Sequence, residues 1–92
     1  MEQAKAIAAL GALGQVMRLQ LYRLLREQGA AGMSAGNIAE RLGVAPSSLS
    51  FHLTQLVEAG LITQTRSGRQ LIYRTSRGAV AELRKYLAEL AR

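Results

Sequence analysis

The chain contains no cysteine and a single histidine, His52, among its 92 residues. The first absence excludes disulfides, thiolate metal sites and thiol redox switching, and the second excludes a histidine cluster. No apolar run is long enough for a bilayer: the alanine-rich stretch at residues 6–13 falls well short of the ~20 residues a spanning helix needs. That stretch has no basic leader before it and no cleavage site after it, so a cytoplasmic protein is expected. Internal repeats, linkers and low-complexity tracts are missing, which leaves one domain over residues 1–92. Nucleophile motifs, phosphate-cradling glycine loops and spaced sets of metal ligands are missing too. His52 has no nearby carboxylate except Glu58, so neither catalysis nor a metal or cofactor is expected.

Acidic residues are scarce beside basic ones, 6 against 12, for a formal net charge of +6. Such a balance favours a polyanionic partner, with plain solubility as the competing explanation. Apolar residues make up 49% of the chain, enough for a folded core rather than disorder. Chains of this length bury only about 60–65% of their surface, and many gain stability by oligomerising.

Residues 2–13 read as an alanine-rich helix with Ile7, Leu10 and Leu13 as its larger apolar groups, and its small side chains suit close approach to another helix. Gly14 marks a break. Residues 15–28 form a second helix whose apolar groups cover more than one stripe, so burial on several sides is expected. Ser34 is placed to cap a short helix ending at Leu42. Gly43 supplies a tight turn, and Pro46 opens the next helix, where its missing N–H is not needed. That helix runs to about residue 59, and Gly60 ends it. Residues 61–66 and 69–75 carry strand-formers around a Ser67-Gly68 turn, the signal of a β-hairpin. Ser76 is placed to cap a last helix reaching Leu90, in which Val80, Leu83, Leu87 and Leu90 form an a/d seam for a neighbour.

The order is mainly α with a small hairpin, α-α-α-α-β-β-α. Residues 34–59 form a helix-turn-helix, and a hairpin at 61–75 directly behind it makes this a winged helix. Two helices joined in this way present the second to the DNA major groove. At 3.6 residues per turn, Leu49, Leu53 and Leu56 face the core with Val57 at their edge. Ser47, Phe51, Thr54 and Glu58 lie opposite, flanked by Ser48, Ser50 and Gln55. Short hydroxyl and amide groups reach base edges and phosphates without steric conflict, and Gln55 can pair with adenine in a bidentate way. Such a face is by itself also an ordinary solvated one; the hairpin behind it tips the balance to double-stranded DNA. Phe51, apolar on the outward face, has two open fates: contact with a thymine methyl, or packing beneath the hairpin or a neighbouring helix. His52, near the edge of the core face, is either a packed histidine or a phosphate contact. At the hairpin tip Arg66, Arg69 and Gln70 are placed to straddle a phosphate backbone or enter a minor groove. A charged hairpin edge that resists aggregation is the competing explanation.

Leu24-Leu25, Ile38-Ala39-Glu40-Arg41-Leu42-Gly43, Leu49-Ser50-Phe51-His52-Leu53, Leu56-Val57-Glu58-Ala59-Gly60-Leu61-Ile62 and Gly68-Arg69-Gln70-Leu71-Ile72-Tyr73 together resemble the ArsR/SmtB repressor family over nearly the whole chain. The resemblance implies a homodimeric winged-helix repressor paired through its first and last helices, residues 2–13 and 77–90. Ile7, Leu10, Val80, Leu83, Leu87 and Leu90 are the expected dimer contacts. It also implies that Ser47, Ser48, Ser50 and His52 stand at recognition-helix positions, and Arg66, Arg69 and Gln70 in the wing. Family members that sense arsenic or zinc do so through cysteines, for which Ser34 and Gly36 stand here, or through Asp, His and Glu on the last helix, which here has Glu82 and Glu89 without a histidine. The Leu-Ser-Phe-His-Leu variant looks most like members with paired cysteines just past the last helix, where this chain stops at Arg92. Metal sensing is therefore not expected from these residues. Two other functions fit less well: a sequence-independent architectural DNA-binding protein, and a winged helix that binds protein.

Overall fold

The structure, a computed structural model, describes residues 1–92. Five helices and a three-stranded antiparallel sheet follow in the order α1 (Gln3–Leu13), α2 (Val16–Gln28), β1 (Met33–Ser34), α3 (Ala35–Leu42), α4 (Pro46–Glu58), β2 (Ile62–Ser67), β3 (Gln70–Thr75) and α5 (Ala79–Leu90). This is the expected winged-helix order with one strand added. A 3-10 turn at Gly29–Ala31 links α2 to β1. No helix is long and apolar enough to cross a membrane.

Helix α1 buries a stripe of alanines, Ala6, Ala9 and Ala12, and leaves Ile7 and Leu10 exposed. The small side chains let it lie close against α2, α4 and α5. Helix α2 buries Leu21, Tyr22, Leu24 and Leu25. Its expected burial on several sides holds only beyond the first turn, where Val16 and Leu19 remain exposed because no element covers them. Ser34 caps α3 as expected, its Oγ accepting from the backbone N–H of Asn37 at 3.2 Å. Gly43 ends α3 at φ +67° and ψ +36°, a left-handed conformation that costs other residues free energy. Beside it the Val44 N–H bonds back to the Ala39 carbonyl at 3.1 Å, the reverse bond of a Schellman close. Pro46 occupies the first turn of α4, and Leu49, Leu53 and Leu56 bury its inner face as expected.

Three sequence expectations need correction. The sheet has a third strand: β1 pairs with β3, Met33 opposite Tyr73 and Ser34 opposite Ile72, so β3 is central in the order β1-β3-β2. The hairpin turn is Gly68-Arg69 rather than Ser67-Gly68, because Ser67 and Gln70 form the last pair of the ladder. Gly68 alone has positive φ there, +63°, which fits a two-residue turn with glycine first. Ser76 does not cap α5. Its N–H donates to the Leu61 carbonyl at 2.9 Å, closing the sheet edge, and the helix starts at Ala79 after a left-handed Gly78.

The core joins α2, α3 and α4 to the sheet through Leu21, Leu25, Ile38, Leu49, Leu56, Leu61 and Ile62, all fully buried. Leu83 belongs to this core at 5% exposure, whereas Val80, Leu87 and Leu90 on the same helix are exposed. The expected a/d seam is therefore split: Leu83 fastens α5 to its own chain, because it points at the body while its neighbours on the stripe turn outward.

Candidate nucleic-acid interface

Directly opposed residues of a sheet share a face, so the pairings sort the hairpin. Buried Tyr73 opposite Gln64, and Leu71 opposite Arg66, lie on the face turned to α4; Thr65 opposite Ile72 and Thr63 opposite Arg74 lie on the other. Arg66, Arg69 and Gln70 are all exposed at the tip. Neither arginine takes part in a salt bridge, so both guanidinium groups are free to meet an external anion.

On α4, Ser47, Ser48, Ser50 and Phe51 are exposed, and His52 and Gln55 are half-buried. Ser50 shares a cleft of about 450 Å³ with Arg69 and Gln70 of the wing and with Gly36 and Asn37 at the start of α3. Three of the residues singled out from the sequence, Ser50, Arg69 and Gln70, thus line one open cleft, together with Ala35, Leu71 and Tyr73. A second cleft of about 240 Å³, between α4 and the wing, is lined by Thr54, Val57, Glu58, Gln64 and Tyr73.

Gln55 does not reach that site. It turns to the opposite flank of α4, into a groove of about 420 Å³ with Ile7, Ala8, Gly11 and Ala12 of α1. The helical projection put it on the flank of the outward face but carried no information about which element covers that flank. His52 lies on the same side as Gln55 in the projection. Its Nδ1 is buried without a hydrogen-bond partner.

One participant was not visible from the sequence. Arg18, in the first turn of α2, brings its guanidinium carbon to 6.0 Å from the Phe51 ring centroid, while its Nε donates to the Ala12 carbonyl at 2.8 Å. No local pattern announces this, since the pairing depends on how the α1–α2 corner docks beside α4. Arg74, on β3, is structural: it donates from Nε to the Ala30 carbonyl and from Nη1 to Thr65 Oγ1. No three metal-ligating side chains come together anywhere in the chain.

This geometry, a polar helix N-terminus beside a basic wing, has counterparts among known proteins. A helix-turn-helix domain family matches residues 13–65, from the end of α1 into β2. The HTH-type transcriptional regulator YgaV of Escherichia coli (strain K12) is 32% identical over 76 residues, covering 83% of this chain and 75% of that protein. An ArsR-like transcriptional regulator from Rhodococcus sp. RHA1 superposes with a TM-score of 0.84 at 26% identity, over 96% of this chain and 80% of that one. The homodimeric winged helix-turn-helix DNA-binding domain of a Mycobacterium bovis protein superposes at 0.77 with 28% identity, over 96% and 79%.

Proposed function

The chain belongs to the ArsR-like family of winged helix-turn-helix transcriptional regulators, proteins that bind DNA rather than catalyse reactions, and on that footing we propose that it is a cytoplasmic homodimeric repressor of an inverted-repeat operator. The observation that carries the proposal is the cleft where Ser50 of α4 meets Arg69 and Gln70 of the wing.

In this mechanism the N-terminal half of α4 enters the major groove. Ser47, Ser48 and Ser50 contact base edges and phosphates with hydroxyls short enough to avoid steric conflict. Arg66 and Arg69 lie on the flanking backbone, where each phosphate neutralised releases condensed counterions and strengthens binding. Self-association uses α1 and α5, which touch each other and carry Ile7, Leu10, Val80, Leu87 and Leu90 exposed. Water-exposed apolar groups of that size on adjoining helices are stabilised by burial against a second copy. A two-fold dimer then presents two copies of α4 to half-sites one helical turn apart, roughly 34–36 Å. A dimer so seated excludes polymerase from overlapping promoter DNA.

Selection of duplexes from a randomised pool, followed by footprinting, tests this. An inverted repeat with half-site centres about one turn apart is the expected product. Recovery of unrelated sequences with uniform protection favours the architectural protein instead.

A further inference from the structure

Phe51 is the exception on α4. Leu49, Leu53 and Leu56 are buried, whereas Phe51 is 59% exposed. It lines neither of the clefts between α4 and the wing, so the ring does not pack beneath the hairpin. His52 stands T-shaped to it, with centroids 5.8 Å apart and planes at 64°. The Arg18 guanidinium, tethered to the Ala12 carbonyl, lies 6.0 Å from the ring centroid. His52 and Arg18 thus border the ring, and Phe51 is otherwise exposed. A phenyl group cannot answer the donors and acceptors of base edges. The one apolar group that a base pair presents in the major groove is the 5-methyl of thymine.

We infer that Phe51 reads the 5-methyl group of a pyrimidine in the major groove, with Arg18 and His52 bordering the ring that makes the contact. This rests on the proposal that α4 enters that groove. Burying one methyl-sized group against a ring corresponds to about fourfold in affinity per half-site, and about sixteenfold when both half-sites of a dimer lack it.

The test uses the full chain and the duplex recovered by selection, with thymines replaced one at a time by deoxyuridine, which removes that methyl alone. For the wild-type protein, deoxyuridine at one position per half-site is expected to weaken binding about fourfold for each half-site so altered. Phe51→Ala is expected to bind the two duplexes equally while remaining folded by circular dichroism and dimeric by sedimentation. A wild-type protein that prefers its site but ignores deoxyuridine at every position overturns the inference and leaves the operator proposal standing. Discrimination retained in Phe51→Ala overturns it too, since another residue then reads the methyl. A Phe51→Ala variant that dissociates to monomers assigns the ring to the subunit interface instead. If selection yields no preferred duplex at all, the operator proposal fails, and this inference fails with it.

Discussion

The Nε of Arg74 donates a 2.8 Å hydrogen bond to the carbonyl of Ala30, 44 residues earlier, while its Nη1 donates to Thr65 Oγ1 at 2.7 Å. One side chain on the central strand therefore ties the wing to the corner that follows α2. The next residues of that corner approach the sheet just as closely. A Cβ placed on Gly32 would lie 2.7 Å from Ile72 Cγ2 and 2.7 Å from the Tyr73 carbonyl oxygen, at a backbone φ of +65°. The angle of the wing to α4 is thus set from behind, by residues that touch no DNA in the proposed complex.

Loss of this anchor is expected to act on the wing more than on the core. Arg74→Ala removes two hydrogen bonds near the surface and should cost about 1–2 kcal/mol. Amide hydrogen exchange should speed up in β2 and β3 ahead of α2 and α4. Gly32→Ala should cost more, roughly 2 kcal/mol or above, because both the conformation and the space oppose a side chain. Urea melts of the two variants check the order, and a Gly32→Ala protein as stable as wild type would contradict the close approach.

Substitutions along α5 should separate stability from self-association. Leu83→Ala opens a cavity in the chain's own core and should cost about 2–5 kcal/mol. Val80→Glu with Leu87→Glu changes exposed positions, so the chain should stay folded and sediment as a monomer. A folded, fully dimeric double variant would rule out this face as the interface.

Arg69→Ala should weaken binding to every duplex alike. The slope of log K against log salt should become shallower by about 0.9 for each phosphate that the variant leaves unneutralised. Gln55→Ala, which alters the groove facing α1, should leave both the salt slope and the base preferences unchanged. A changed preference at a single base in Gln55→Ala would return that residue to the reading surface.

Tyr22 contributes to how stability changes at alkaline pH. Burial raises its pKa above 10, and the Arg26 cation offsets only part of that rise. The folded state therefore holds a proton that the unfolded chain releases. The stabilisation is complete below about pH 10 and is lost as pH rises through the folded-state pKa. Tyr22→Phe should flatten the fall in stability measured by urea melts between about pH 9 and pH 12. An identical alkaline slope in the variant would assign the effect to another group.

Helices and wing were legible because their signals are local. Ser34, Gly43 and Pro46 mark helix ends by their own chemistry, and Leu49, Leu53 and Leu56 repeat at helical spacing. The two-residue strand β1 was not legible, since Met33-Ser34 is too short to show a period and exists only through its pairing with β3. Leu83 shows why the interface was harder than the fold. A stripe of leucines on a helix states that the face is covered, but not whether the cover is the same chain or another. The flank that Gln55 occupies and the approach of Arg18 to Phe51 were hidden for the same reason. Whether a flank of α4 meets solvent, α1 or α2 is decided by docking of elements far apart in sequence. The convergence of Ser50, Arg69 and Gln70, by contrast, followed from placing the wing directly behind the recognition helix.

Fluorescence anisotropy of the intact protein on DNA from upstream of its own gene and on a scrambled duplex, each across a salt series, tests the central claim most directly. An operator-specific dimer is expected to prefer the upstream duplex by at least about a thousandfold, with affinity for both falling steeply as salt rises. Equal, salt-sensitive binding to the two duplexes would contradict it.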